Sequence, residues 1–318
     1  MSDLIPSFNF HQVFVAPWTN DSSSFVWIAV MGFFVASACG LIGNYLILRR
    51  MALVGDAISH SVLPGIAIAF LLANSRAAPA MFIGALAAGI LTTIIIEIIH
   101  KKSRVKQDAA IGIAFSTLFA IGVILITLYA DKVDLDQECV LYGEIAFVPL
   151  APTVSLFGFP LGPEPVVRMG CVAIATAILI TLFYKELLIT SFDPALADSQ
   201  GIRAGAMHYA LMSMLSIVVV SAFESVGAIL VIAMLILPGA TASMLSRRLP
   251  VIMLLSVVHA FLSSLLGIHL AIWLQCSAAA AMVVMGAVLY TAAWFFAPNE
   301  GLISRLVRLR PIEAAPNL

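Results

Sequence analysis

In the stretch GDAISHSVLPG, residues 55 to 65, Asp56 and His60 are spaced for chemistry within an otherwise apolar run. If residues 57–74 are helical, four positions make about one turn, so a carboxylate and an imidazole share one face at the start of the helix. Oxygen with imidazole nitrogen suits Mn²⁺, Fe²⁺ or Zn²⁺. A charged side chain at membrane depth costs about 3 kcal/mol on insertion scales, so such residues face a cavity, pair with something or mark an ion pathway. Pro64, four residues past His60, lacks an N–H and is expected to kink the helix and free the carbonyl of residue 60. A plainer reading also fits, with Asp56 as a helix cap and His60 bonded to a neighbouring helix.

Other polar residues in apolar surroundings divide the same way. Glu224 could line an entry gate or simply be solvated at a helix end, and His259 is a further candidate ligand or a helix-packing histidine. His269, ten residues beyond His259, is too far along the axis to share one ion with it. Glu97 and Lys101, four apart, read as a surface pair, and Asp108 as a cap. Pro238 in LILPGATA is expected to interrupt its helix as Pro64 does; paired breaks can flank a transport path or serve packing alone.

The elements that must position these residues follow from composition. Of 318 residues, 62% are hydrophobic and 10% charged, which excludes an ordinary soluble domain and reads as a membrane protein. Stretches of roughly 20 apolar residues predict an all-α, polytopic transmembrane bundle of about nine spans. They fall near 26–48, 57–74, 80–99, 109–130, 166–188, 207–225, 227–245, 251–273 and 277–296. The short gap from Glu224 to Gly227 fits a tight hairpin or one broken element. Residues 1–25 form a polar arm without a signal-like basic start. An N-terminus outside puts Arg49, Arg50, Lys101, Lys102, Arg104, Lys106, Lys185, Arg203, Arg247, Arg248, Arg305, Arg308 and Arg310 on the cytoplasmic side. Only Arg76, Lys132 and Arg168 then fall outside, and the C-terminal tail, 297–318, is cytoplasmic. The Pro- and Gly-rich loop 131–165 fits a structured external cap. Cys39, Cys139, Cys171 and Cys276 are scattered, with no CxxC pair, so neither a disulfide nor a thiolate site is expected.

One cytoplasmic loop carries its own punctuation. In SFDPALADSQG, residues 191–201, Asp193 reads as an N-cap, Pro194 as the first helical residue and Gly201 as the stop of a helix of about two turns. Phe192 and Leu196 could anchor it in a partner's groove, or the segment is an ordinary surface loop.

Together these motifs resemble the family 3 permeases of ATP-binding-cassette systems, which move manganese, zinc or iron(II). GDAISHSVLPG, QDAAIGIAFS, ECVLYGEIAFVPL, SFDPALADSQGI and LVIAMLILPGATA stand in the family's order along nearly the whole chain, with Ser61 and Gly239 where alanine is usual. The resemblance implies a metal-binding pair at Asp56 and His60. It implies a coupling helix around Asp193 to Gln200 that meets a separate ATPase subunit. Two copies would form the pore in a bacterial cytoplasmic (inner) membrane, an extracytoplasmic binding protein would deliver the metal, and no prosthetic group or nucleic acid is expected. Similarity of DLDQECVLYGEIAFVPL to the manganese and iron branch favours manganese.

The chain lacks a GxxxxGK[ST] phosphate loop, so it is not expected to be an enzyme, and it lacks the HExxH of a metalloprotease. A stand-alone ion-coupled carrier and a corrinoid or siderophore permease are the alternatives. The first gives no reason for a docking helix, and the second needs a wide cavity rather than a convergent Asp56 and His60.

Overall fold

The computed structural model describes residues 6–19, 21–73, 78–129, 144–156, 159–297 and 301–302. After a π-turn over His11–Val15 come α1 (Ala16–Thr19), α2 (Ser22–Leu48), α3 (Val54–Ala73), α4 (Ala78–Lys102) and α5 (Gln107–Tyr129). A 3-10 turn, Ile145–Leu150, leads to an antiparallel hairpin of β1 (Thr153–Leu156) and β2 (Phe159–Pro163). The chain continues through α6 (Glu164–Leu182), α7 (Tyr184–Phe192), α8 (Pro194–Ser199), α9 (Ala204–Leu245), α10 (Leu249–Leu274) and α11 (Ala278–Phe296). Among the described residues nine helices are long and apolar enough to cross a membrane, with α9 supplying two, Ala204–Phe223 and Ser225–Leu245. Helices prevail because hydrocarbon offers no partner for the backbone, so each spanning segment must bond internally.

Most of the expected spans stand. The expected span 166–188 ends earlier: Phe183, at φ −98° and ψ 23°, separates α6 from α7 just where the apolar run gives way to Tyr184, Lys185 and Glu186. Of the expected external cap, 131–143 and 157–158 lie outside the described residues, and the rest forms the 3-10 turn and the hairpin. Most of the expected tail, and Arg76 and Lys132, also lie outside them.

The two arms of α9 meet at Gly227, whose φ of 76° and ψ of 170° belong to a region only glycine occupies readily. The chain turns back there. His208 in the first arm meets Arg49 at the end of α2, while Ser256, two turns into α10, meets Asn44 of α2. Both ends of α9 therefore lie at the Arg49 end of the bundle. At the opposite end His269 and Trp273 of α10 bond the Val13 and Pro6 carbonyls, and Gly162 packs on Trp27.

Pro64 and Pro238, expected to kink and to interrupt their helices, lie inside helices that run on past them: α3 continues from Val54 to Ala73, and the second arm of α9 continues to Leu245. Each ring is seated in a glycine notch on a neighbour. A Cβ on Gly122 of α5 would meet Pro64 Cδ at 2.9 Å, and one on Gly40 of α2 would meet Pro238 Cβ at 3.0 Å. Packed neighbours of this kind are what make a mid-helix proline tolerable in a membrane.

Glycine also sets how closely the helices approach. A Cβ on Gly65 of α3 would lie 2.1 Å from the Gly84 carbonyl oxygen of α4, and one on Gly84 would lie 2.4 Å from that of Gly65. On α2, a Cβ at Gly43 would stand 1.8 Å from the Leu235 carbonyl oxygen, so only glycine fits against the second arm of α9. At Gly239 the obstacle is softer, since a Cβ there would meet side-chain ends, Asn44 Oδ1 at 2.7 Å and Ile47 Cδ1 at 2.8 Å. Gly43→Ala should destabilise the fold by ~1–3 kcal/mol, as overpacking does, because the obstacle is backbone rather than a movable side chain. The check is a lower melting temperature of the purified variant in detergent, compared with Gly112→Ala, whose Cβ would meet nothing within 4 Å.

Candidate metal site and docking helix

Asp56 occupies the first turn of α3 and His60 the next, on one face as their spacing requires. His60 Nε2 lies 3.3 Å from Asp56 Oδ1, with the two side chains 33% and 38% exposed respectively. The rings of Phe115 and Phe119 on α5 wall the imidazole, with centroids 6.0 and 6.2 Å away. Residues between the pair turn inward: Ala57, Ile58 and Ser59 are buried, and the Ser59 and Ser61 hydroxyls donate to the Asp56 and Ala57 carbonyls of their own helix. An ion about 2.1 Å from each of two donors 3.3 Å apart would see them at roughly 100°, within the range of tetrahedral and octahedral sites. Without a metal the same geometry suits an imidazole N–H donating to the carboxylate. Among the described residues no group of three or more His, Cys, Asp or Glu comes together, so this chain offers a two-donor clip rather than a closed cage.

The remaining candidates separate from it. The Glu224 side chain lies outside the described residues. His259 is buried in α10 with Nε2 3.2 Å from the Gly286 carbonyl of α11, joining two helices. His269 accepts the packing role too: Nδ1 donates to the Val13 carbonyl at 2.8 Å, and its ring lies against Phe14 and Phe25. Asp108 sits in the first turn of α5. The described cysteines are free, with Cys39 buried and Cys171 and Cys276 exposed, and Cys139 lies outside the described residues.

Glu97 is more than half of a surface pair. It bonds Lys101 at 2.6 Å, but it is itself buried, and its other oxygen lies 3.2 Å from His208 Nε2 on α9. His208 Nδ1 in turn lies 3.4 Å from Arg49 Nη1. Arg49 caps α2 and also donates from Nε to Ser191 Oγ at 2.9 Å and from Nη2 to Thr190 Oγ1 at 3.0 Å, both on α7. Burial pulls the Arg49 pKa below its ordinary value, with Tyr45 opposing, yet a guanidinium in a protein stays charged. Sequence spacing exposes the Glu97–Lys101 half, since those residues share a helix; Arg49, Thr190 and His208 lie too far apart in the chain for any periodicity to join them.

The punctuated loop is a helix, as its residues predict. Asp193 Oδ1 accepts from the Leu196 amide at 3.0 Å, Pro194 begins α8, Gln200 ends it, and Gly201 follows at φ 81°. Phe192 is 69% exposed and Leu196 47%, at the end of the molecule that also carries Arg49. Asp193→Ala should weaken α8 by about 1 kcal/mol by leaving the first-turn donors without their cap. Faster hydrogen exchange at the Leu196 amide, with α7 unchanged, is the expected reading.

Comparison with known proteins agrees with this architecture. Residues 22–297 match the ABC 3 transport family. The chain is 46% identical over 282 residues to the manganese transport system membrane protein MntD of Bacillus subtilis (strain 168), covering 89% of this chain and 95% of that one. It is 41% identical over 288 residues to the zinc transport system membrane protein TroD of Treponema pallidum (strain Nichols), covering 91% and 77% respectively. A chain of the solved structure of PsaBC from Streptococcus pneumoniae in complex with Fab superposes with a TM-score of 0.74 at 33% identity, over 95% of this chain and 100% of that one. This chain is a multi-pass membrane protein that belongs to the ABC 3 transport family.

Proposed function

We propose that the chain is the permease subunit of an ATP-driven importer of divalent transition-metal ions, with manganese as the favoured substrate and zinc or iron(II) as the others. The observation that carries the reading is the Asp56–His60 clip, two donors held 3.3 Å apart and part-exposed on one face of an apolar helix, in a chain whose relatives are named for manganese and zinc transport. A 31% identical relative from Yersinia pestis is named for chelated iron transport. Two donors leave most of an ion's coordination to other groups. A second copy of the chain facing the first across a pore could supply them.

Energy has to enter elsewhere, because the sequence contains no phosphate-binding loop. The helix α8, exposed beside Phe192, is the surface offered to an ATPase subunit, with Asp193, Pro194, Leu196 and Gln200 shaping it. Lys101, Lys102, Arg104, Lys106, Arg203, Arg247 and Arg248 lie at or next to the same end of the bundle, which supports placing that end in the cytoplasm by the positive-inside rule. A binding protein would then deliver metal at the opposite end. The clip requires only a small cation, which speaks against a corrinoid or siderophore as substrate.

The test is elemental analysis of cells that express the permease with its ATPase and binding protein, comparing wild type with Asp56→Ala and His60→Ala at matched membrane levels. Both variants should lose manganese uptake by about tenfold or more, since even an outer-shell partner of a metal ligand is worth that much. Undiminished uptake in both returns Asp56 and His60 to capping and packing.

A further inference from the structure

Beyond the clip and the docking helix lies the group that joins them. We infer that Arg49 is a positioning residue that ties α8 to the helix bearing Asp56 and His60, so that displacement of α8 by an ATPase subunit reaches the metal clip. The inference rests on the importer reading above.

The path is short and bonded at every step. Thr190 and Ser191 lie in the last turn of α7, three and two residues before the Asp193 cap of α8. Their hydroxyl protons are used on their own helix, toward the Glu186 and Leu187 carbonyls, which leaves their oxygens to accept from Arg49. Arg49 is the C-cap of α2, and the turn around it is closed by Arg50 N–H to the Ile47 carbonyl, Met51 N–H to Leu46 and Val54 N–H to Met51. Arg50 holds φ of 58°, and Asp56 follows two residues after Val54. No loose segment separates the guanidinium from the clip.

The side chain suits the task. Its planar fork reaches α7 with Nε and Nη2 and α9 with Nη1, three directions that a lysine ammonium on a flexible stem does not fix. His208 can serve Arg49 and Glu97 together as the neutral Nε2–H tautomer, donating to Glu97 and accepting from Arg49; this tautomer is inferred from the partners. Glu97 and Lys101 extend the hold to α4, which packs backbone to backbone on α3. Arg49 is thus bonded to the docking side while continuous with the clip side, whereas a purely structural staple would be needed only for folding.

The experiment uses the complete transporter, permease with ATPase subunit and binding protein, in liposomes, measuring Mn²⁺ and, in parallel, Zn²⁺ accumulation against phosphate release. Arg49→Gln, and separately the pair Thr190→Val with Ser191→Ala, should leave ATP hydrolysis nearly intact while metal moved per ATP falls by about fivefold or more, the low end of measured couplings between sites. Arg49→Lys should recover only part of the ratio. The paired variant keeps the guanidinium, so it reads the contact even if Arg49→Gln fails to assemble. A wild-type ratio in the paired variant overturns the inference alone. A wild-type transporter that accumulates neither metal overturns the importer reading and the inference with it.

Discussion

Close backbone contact between helices is the constraint on which the rest of this molecule depends. In lipid, apolar side chains gain little by leaving one apolar environment for another, so helices associate through packing and the few hydrogen bonds they can share. Here α3 is held from three sides by such contacts: Gly65 against the Gly84 backbone of α4, Pro64 against Gly122 of α5, and Gly55 against the Leu235 side chain of α9. Pro64 follows Asp56 and His60 on one face of α3, one turn apart each, so the same α5 that receives the proline ring also walls the His60 imidazole with Phe115 and Phe119. The surroundings of the pair are therefore set partly by where a side chain is missing, at Gly122, on its neighbour.

Polar groups in the interior sort into two kinds. Asn44 with Ser256, and His259 Nε2 with the Gly286 carbonyl, join helices to one another, although the buried Nδ1 of His259 has no partner among the described residues. Asp56 and His60 bond each other but keep about a third of their side-chain surface open. Burial and spacing agree in separating the two histidines: His60 has Asp56 one turn away and is a third exposed, whereas His259 stands without an acidic neighbour in the sequence and is buried.

Much of the fold was legible because hydrophobic length and Lys/Arg placement are local properties: the spans, the α8 cap at Asp193 and the shared face of Asp56 and His60 all follow from neighbours in the chain. Both prolines stay inside helices that run on past them where a glycine on another helix receives the ring, and that glycine lies 58 residues from Pro64 and 198 from Pro238, beyond the reach of local spacing. The break at Gly227 falls in the short gap from Glu224 to Gly227 between two apolar runs, where the sequence leads one to expect a tight hairpin or a broken element. Arg49 gave no signal beyond its charge, because its partners come from α7 and α9.

The spans are unequal in length. The 27-residue α2, about 40 Å long, is more than half enclosed by other helices, whereas the 19-residue α11, about 28 Å long, has most of its surface outward. A long enclosed helix such as α2 can tilt among its neighbours, whereas α11 meets its surroundings directly and has little length to spare for tilting. A thicker, sterol-rich bilayer would therefore be mismatched first along α11, where the span is close to the ~30 Å of the hydrocarbon core.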